Sequence, residues 1–353
     1  MKKLSLFFFL LTLTLLIAGC NSAEQTADDQ SEGKPETITL KVATYFPNTS
    51  TMSTEVMIPW MEEITERTDE VVQFEYYPSE QIGKAADLFN LTKDGVTDLA
   101  ISSIAYKPDL FPLSNALSGL PNLSETMRQG TMAYNDLLKE NTELLETEYL
   151  KNNIRPLFGH VSPTFEIWSV DKELRVPDDF KALKMRTPGG LLTEYYAYLE
   201  ATPVSLPNSE AYEALDKGLV SAYSSYSLGV KSIGLQEILG HAVFPHLGTA
   251  IQPLVINEKK WQSLPEDVQQ VIIEVSGEIM ESASVAYENL TQEFNQEFEE
   301  NGGKIAELSE EELNQWKTVN EAFTEEWLEN NKSEGYPYEE ILTIYKEKLA
   351  EYK

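Results

Sequence analysis

Arg186 is the residue best placed to do chemistry. It ends the run Phe180-Lys181-Ala182-Leu183-Lys184-Met185-Arg186 and precedes Thr187-Pro188-Gly189. A cation at the end of a buried-type strand, followed by a Pro-Gly turn into a helix, points into the crevice where open α/β sheets hold ligands. Arginine offers a rigid planar fork of N–H donors that meets both oxygens of a carboxylate, and it keeps its charge when desolvated. The residues therefore suggest an anion clamp, set against an ordinary structural ion pair with one of the 58 Asp and Glu residues of the chain.

Other chemistry is sparse. The sequence contains no G-x-S-x-G elbow, no G-x-x-x-x-G-K-[ST] phosphate loop, no H-E-x-x-H and no G-x-G-x-x-G opening a helix after a strand. Three histidines are present, His160 at the end of a strand-like run and His241 and His246 flanking Ala-Val-Phe-Pro. Each reads as a packed or surface histidine. A Ser-His-acid triad is not removed by counting, so a secreted α/β hydrolase-type enzyme stays open as an alternative. Carboxylates are so numerous that any general acid and base pair would be arbitrary. One cysteine and three histidines leave no cysteine-rich zinc cluster and no intramolecular disulfide, so neither a metal nor a cofactor is expected.

That single thiol, Cys20, has its own context. Met1-Lys2-Lys3 precedes an apolar stretch from Leu4 to Gly19, a basic n-region and a hydrophobic h-region ending in small residues. The stretch is shorter than the ~20 residues that span hydrocarbon as a helix. Residues 1–19 thus read as a signal peptide, and Leu16-Ile17-Ala18-Gly19-Cys20 looks like a bacterial lipobox, whose cysteine receives a lipid. The alternative is a signal-anchor helix with an incidental Cys. Asn21 to Glu36 has no large apolar side chain, so residues 20–36 form a flexible acidic tether and the folded part starts near Thr37.

The elements that must position Arg186 follow from periodicity. Ile38, Leu40 and Val42 alternate as a strand, and Val56, Trp60 and Ile64 recur at helical spacing. Val71–Tyr77 returns to strand character, 84–93 to helix and Asp98–Ile104 to strand. This βαβαβ order indicates a parallel sheet covered on both faces, with the loops around Tyr45-Phe46-Pro47 and Ser102-Ser103-Ile104 as candidate site walls. After a helical segment from about Ser124 to Leu150 come strand-like pieces at Arg155–His160, Phe165–Val170 and Leu183–Thr187. A helix at Leu191–Leu199, a strand at Pro203–Leu206, a helix at Ser209–Lys217 and a strand at Leu219–Ser224 make a second α/β lobe.

Toward the C-terminus an apolar stripe runs from Val268 to Phe298, with Ser263 and Glu266 spaced as a capping box and Gly302-Gly303 as the stop. A continuous helix over Glu266–Asn301 is roughly 54 Å long, enough to touch both lobes. A break near Ser276-Gly277 is the alternative. A second capping box, Ser309 with Glu312, opens a helix presenting Leu313, Trp316, Val319, Phe323 and Trp327 as core.

Composition bounds the function. The 353 residues carry 27 Lys and Arg against 58 Asp and Glu, a net charge of −31, yet 42% are hydrophobic. Such a chain is an acidic globular protein of one large or two smaller domains. Its charge repels nucleic acid and anionic membrane surfaces, leaving a lipid anchor as the expected link to the membrane.

Several strings, in order, resemble the extracytoplasmic solute-binding proteins of tripartite ATP-independent periplasmic (TRAP) transporters, the DctP family. Ser79-Glu80-Gln81-Ile82-Gly83 with Thr92–Asp98 is similar to its "QLG … G-x-x-D" segment, Leu120-Pro121 to "LPF", and Pro177–Pro188 to "DLKGLKIRVP". Glu210–Leu215 is similar to "EVYxAL", and Asn257–Gln269 to "N…W…LPxxxQ".

The resemblance implies a two-lobed α/β fold like that of periplasmic binding proteins, with a long helix bracing both lobes. Residues 37–160 with about 252–290 would form lobe I, and 161–251 with about 291–353 lobe II. It further implies an extracytoplasmic, non-enzymatic protein that captures a small organic anion and delivers it to a permease of one small and one large integral membrane subunit. A receptor or sensor of the same shape is the remaining alternative. Arg186 sits where the family clamps the ligand carboxylate. Val220-Ser221-Ala222-Tyr223-Ser224-Ser225-Tyr226 departs from the family's Asp-Gly and following Asn; Ser225 takes roughly the Asn position, and Tyr223 is expected to line the pocket. Glu166 stands near where sialic-acid-binding members carry a second Arg, which points to one carboxylate plus hydroxyl, keto or cationic character. Phe46, Tyr106 and His246 are the remaining expected walls.

Overall fold

In a computed structural model that describes residues 36–353, the chain builds two sheets. The signal-peptide, lipobox and tether readings lie essentially outside the described residues. The first sheet has strands β1 (Ile38–Thr44), β2 (Val72–Tyr77), β3 (Leu99–Ile101), β4 (Ile154–Val161) and, returning late in the sequence, Ile251–Asn257. The second has β5 (Phe165–Ser169), β6 (Lys184–Thr187), β7 (Thr202–Ser205), β8 (Ala222–Ser225), β9 (His241–Leu247) and the late strand Lys304–Ala306. With Ile251–Asn257 as β10 and Lys304–Ala306 as β11, the orders are β2-β1-β3-β10-β4 and β11-β9-β5-β8-β6-β7.

Both sheets are mixed, which corrects the all-parallel expectation. The βαβ units pair in parallel, β1 with β2 and β3, and β6 with β7 and β8. β10 runs antiparallel to β3 and β4, and β5 antiparallel to β8 and β9. The antiparallel pairs all involve β5 or β10, the two strands the chain enters directly from the other sheet, β4 leading into β5 and β9 into β10 with no helix between. The chain crosses between the sheets at 162–164 and again at 248–250. These two crossings lie side by side, Ser162 N–H donating to Ala250 O at 2.9 Å and Phe165 N–H to Gly248 O at 2.7 Å.

A third link is the helix Glu266–Glu300. It is unbroken through Ser276-Gly277, and its 35 residues span roughly 53 Å. It packs on Ile58–Arg67, Met127–Glu140 and β4 beside the first sheet, and on Ser227–Lys231 and β11 beside the second. Trp60, fully buried, ties its N-terminal third to the first sheet's helices by donating Nε1–H to Ser276 Oγ at 2.9 Å. The Ser263 capping box is not formed. Ser263 Oγ donates to Lys260 O, closing the short helix Glu258–Gln262, and the long helix starts after Pro265 without a side-chain cap. The Ser309–Glu312 box does form and opens a helix over Glu310–Asn331. Its stripe buries Trp316, Phe323 and Trp327, whereas Leu313 is 44% exposed.

Other boundaries shift for local reasons. Helix over 84–93 shortens to Leu88–Lys93 because Glu80 takes the Ala85 N–H. The helix expected from Ser124 to Leu150 runs from Met127 to Glu140, ends at Asn141, and restarts where the Asn141 side chain accepts from Leu144 N–H. Residues 291–353 divide between the two sheets. Glu310–Asn331 packs on the second through the Phe180–Trp316 and Tyr195–Phe323 ring pairs. Tyr338–Glu351 packs on Met127–Glu140 beside the first, with Gln129 Nε2 donating to Leu349 O and Tyr345 Oη to Gly130 O.

Candidate functional site

Arg186 lies on β6, its Cα opposite Val204 of β7 and Tyr223 of β8. Pro188 stops the strand, Gly189 (φ +106°) and Gly190 (φ +57°) turn the backbone, and the helix Gly190–Tyr198 follows. The glycines are required: a Cβ at Gly189 would stand 2.6 Å from Ala105 O. Leu191 N–H donates to Asn115 Oδ1, so this turn rests directly on the first sheet's side of the molecule.

The Arg186 side chain is 2% exposed. Its Nε–H donates to Leu206 O at 2.8 Å and Nη1–H to Ser224 O at 3.2 Å, and the guanidinium stands 4.9 Å over the Tyr223 ring. Among the described residues no carboxylate lies within 4.0 Å of it. Carbonyls and a ring face orient the cation but do not neutralise it. A buried charge of this kind is costly unless an anion completes it, and the ion-pair alternative is not what the structure shows.

The guanidinium borders a narrow cavity between the two sheets. Among the described residues Arg186 is its one charged lining residue. From the first sheet's side come Tyr45 and Phe46 after β1, Ser103 and Tyr106 after β3, and Gln252 of β10; from the second, Phe165, Asn208, Ser225 and Tyr226. Tyr45 and Phe46 stack at 4.0 Å, Tyr106 meets Tyr45 edge-on at 5.5 Å, and Phe165 packs on Tyr226 at 5.9 Å. Asn208 N–H donates to Tyr106 Oη at 3.1 Å, a bond that joins the two sides. Burial pushes the Tyr45 and Tyr226 phenols well above their ordinary range, so both stay protonated as donors.

The expected site residues separate into two groups. Arg186, Ser225, Phe46 and Tyr106 meet at the cavity. Tyr223 does not form its wall: it lies beneath the guanidinium and donates its hydroxyl to Asn208 Oδ1. Glu166 and His246 stand off the cavity and pair with each other, Nδ1 to Oε1 at 2.8 Å. The carboxylate also takes the His246 N–H and the Thr164 hydroxyl, and its bond to the imidazole raises the His246 pKa. None of the three histidines lines the cavity.

Phe165, Asn208, Tyr226 and Gln252 were not legible as site residues. Gln252 left a usable signal, as an amide inside Ile251–Asn257, a strand buried along its whole length. Its Nε2 donates to Tyr45 Oη at 3.2 Å, while its Oε1, like Ser103 Oγ, is buried with no hydrogen-bond partner among the described residues.

Two mixed α/β sheets joined by paired short crossings, enclosing a cavity with one uncompensated cation, define a two-lobed ligand-binding protein. The sequence model of "Bacterial extracellular solute-binding protein, family 7" (DctP) matches residues 42–331, and the chain belongs to this family. It is similar to the ectoine-binding periplasmic protein TeaA of Halomonas elongata, 24% identical over 249 residues, 70% of each chain. It is 25% identical over 295 residues to the C4-dicarboxylate-binding periplasmic protein DctP of Rhodobacter capsulatus, covering 82% of this chain and 80% of that one. A TRAP solute-binding protein from Rhodoferax ferrireducens T118, crystallised with copurified benzoate, superposes with a TM-score of 0.81 at 24% identity over 89% of this chain and 98% of the other.

Proposed function

We propose that the protein is the extracytoplasmic receptor of a TRAP transporter. It captures a small organic acid between its lobes and passes it to a permease made of a small and a large integral membrane subunit. The observation that carries this reading is the buried Arg186 guanidinium, held by two carbonyls and facing the cavity without a carboxylate. Nη1 and Nη2 meet the two oxygens of the ligand carboxylate, Ser225 adds a hydroxyl beside them, and Phe46 and Tyr106 close the opposite wall. Tyr223 acts through Arg186, and the Glu166–His246 pair lies outside the binding shell. No bond of the ligand is made or broken. Cys20 carries the lipid that keeps the receptor at the membrane surface, and 20–36 is the tether.

Closure is a hinge motion at the paired crossings, and the acid shifts its equilibrium by binding the closed state better. Family membership supports the reading, as do a relative that binds C4-dicarboxylates and a structural neighbour crystallised with benzoate. A thermal-shift screen of organic acids tests it, because a ligand that binds only the native state raises stability by mass action. Any acid found should bind Arg186→Ala at least ~30-fold more weakly, since removing one partner of a buried charged pair costs about 2–5 kcal/mol. Equal affinity in the variant would refute the clamp.

A further inference from the structure

The helix Asn208–Asp216, which follows β7, begins without a cap of its own. Pro207 holds the capping position and has no side-chain acceptor, so the first N–H groups of the helix need partners from elsewhere. Partners come from across the cleft. Tyr106, after β3 on the first sheet's side, accepts from Asn208 N–H at 3.1 Å through its hydroxyl. Glu80, after β2, accepts from the Ser209 hydroxyl on Oε1 at 3.4 Å. A carboxylate beside the first turn of a helix is favoured by the helix dipole and the free N–H groups there.

The loop after β2 is built to hold Glu80 in this position. Ser79 and Glu80 both take left-handed backbone, at φ +54° and +61°, which non-glycine residues adopt only where the surroundings impose it. Here Ser79 N–H donates to Phe46 O at 2.9 Å and Glu80 N–H to Thr44 O at 3.0 Å, tying the loop to the end of β1. Ala85 N–H donates to Glu80 Oε1 at 3.0 Å and Lys84 Nζ to Oε2 at 2.7 Å. The Glu80 side chain is thereby only 10% exposed, while that of Lys84 is 71% exposed. On the other side of the contact, Asn208 Oδ1 accepts from the Tyr223 hydroxyl, and the Tyr223 ring lies under the Arg186 guanidinium. Asn208 therefore belongs both to the contact across the cleft and to the seat of the cation.

We propose that Tyr106 and Glu80 are a latch: they cap the helix Asn208–Asp216 from the opposite lobe and hold the cleft closed over the cavity, with Asn208 joining the latch to the Arg186 seat. This deepens the proposed function and rests on its hinge closure, to which it adds the contacts that stabilise the closed state. Glu80 does not line the cavity, so it acts by positioning the lobes and not by touching the acid. When the lobes part, the Asn208 N–H returns to water and Glu80 keeps only Lys84 and Ala85. Each latch residue then contributes about one capping interaction, roughly three- to tenfold in the balance between closed and open lobes.

Amide-resolved hydrogen exchange of the purified protein, alone and with benzoate, tests this. The first N–H groups of a helix have no acceptor within it, so protection at Asn208 reports the cap from the other lobe. In the parent the Asn208 amide should exchange at least about tenfold more slowly than an unprotected amide. Tyr106→Phe should abolish that protection. Glu80→Gln leaves the Asn208–Tyr106 bond its atoms but removes the charge at the helix start, and should speed exchange at Asn208 about threefold or more. Amides in the middle of Glu266–Glu300 should exchange as in the parent in both variants, which separates opening of the cleft from loss of the fold. The latch is overturned if Asn208 is unprotected in the parent under both conditions, if its protection survives Tyr106→Phe, or if Glu80→Gln leaves its exchange unchanged. Arg186→Gln keeps this distinct from the clamp. Undiminished benzoate affinity in that variant beside a protected Asn208 in the parent sinks the clamp alone, whereas lost affinity beside an unprotected Asn208 sinks the latch alone.

Discussion

Glu148 sets a measurable pH dependence on the fold. The side chain is fully buried, and its carboxylate accepts from Leu113 N–H at 2.6 Å, from Ser114 N–H at 2.9 Å and from the Ser114 hydroxyl, where the helix Pro112–Gly119 begins. No cation pairs with it among the described residues. Desolvation raises its pKa from 4.5 to about 7, with the bonds from Ser114 and Leu113 pulling the other way. Below about pH 4.5 the group is neutral in the folded and the unfolded chain. Between 4.5 and about 7 the unfolded chain ionises while the folded one holds its proton, so stability falls as pH rises. The loss is complete above about 7 and amounts to roughly 3 kcal/mol. Glu148→Gln keeps the shape and the acceptor oxygen but cannot ionise. Urea unfolding of parent and variant from pH 4.5 to 8 isolates the group, because the remaining titrations cancel in the difference. The variant should gain roughly 3 kcal/mol on the parent across that range, or about 5 °C in Tm for a chain of this size. A difference that is flat in pH, or that slopes the other way, would refute the reasoning.

Two further outcomes follow. His160, with its pKa driven down to about 3 by burial, stays neutral in the fold while the unfolded chain takes up a proton below about 6.5. Parent stability relative to His160→Leu should therefore drop by roughly 2 kcal/mol between pH 6.5 and 5, seen in the same unfolding series, and a constant difference would contradict a buried neutral imidazole. Gly189→Ala places a Cβ against Ala105 O at a positive φ. Calorimetry should show a loss of roughly 1–3 kcal/mol, with weaker acid binding because Arg186 lies three residues away; an unchanged Tm would show that the turn relaxes freely.

Much of the fold was legible because period-2 and period-3.6 patterns are strong where one face is buried. The continuous helix over Glu266–Glu300 and the Ser309 cap are of this kind. β9 and β10 escaped because His241–Leu247 contains Pro245 and a polar end, and Ile251–Asn257 is buried on both faces and so does not alternate. Missing them hid the mixed sheets and the second crossing. In the site, Arg186 was readable because a cation before Pro-Gly breaks a buried pattern. Ser225, Phe46 and Tyr106 came with the family resemblance, whereas Phe165 and Tyr226 were missed because they reach the cavity only once the two crossings bring distant segments together. Glu166 was drawn in by its spacing within the resemblance and His246 as a remaining wall, and neither reading reveals that two residues 80 positions apart satisfy one another.

A crystal structure of the protein grown with benzoate tests the central claim most directly. Both carboxylate oxygens should lie about 2.7–2.9 Å from the Arg186 nitrogens, with the ring between Tyr45, Phe46 and Tyr226. A bound acid held elsewhere, or an Arg186 turned from the cavity onto a protein carboxylate, would contradict it.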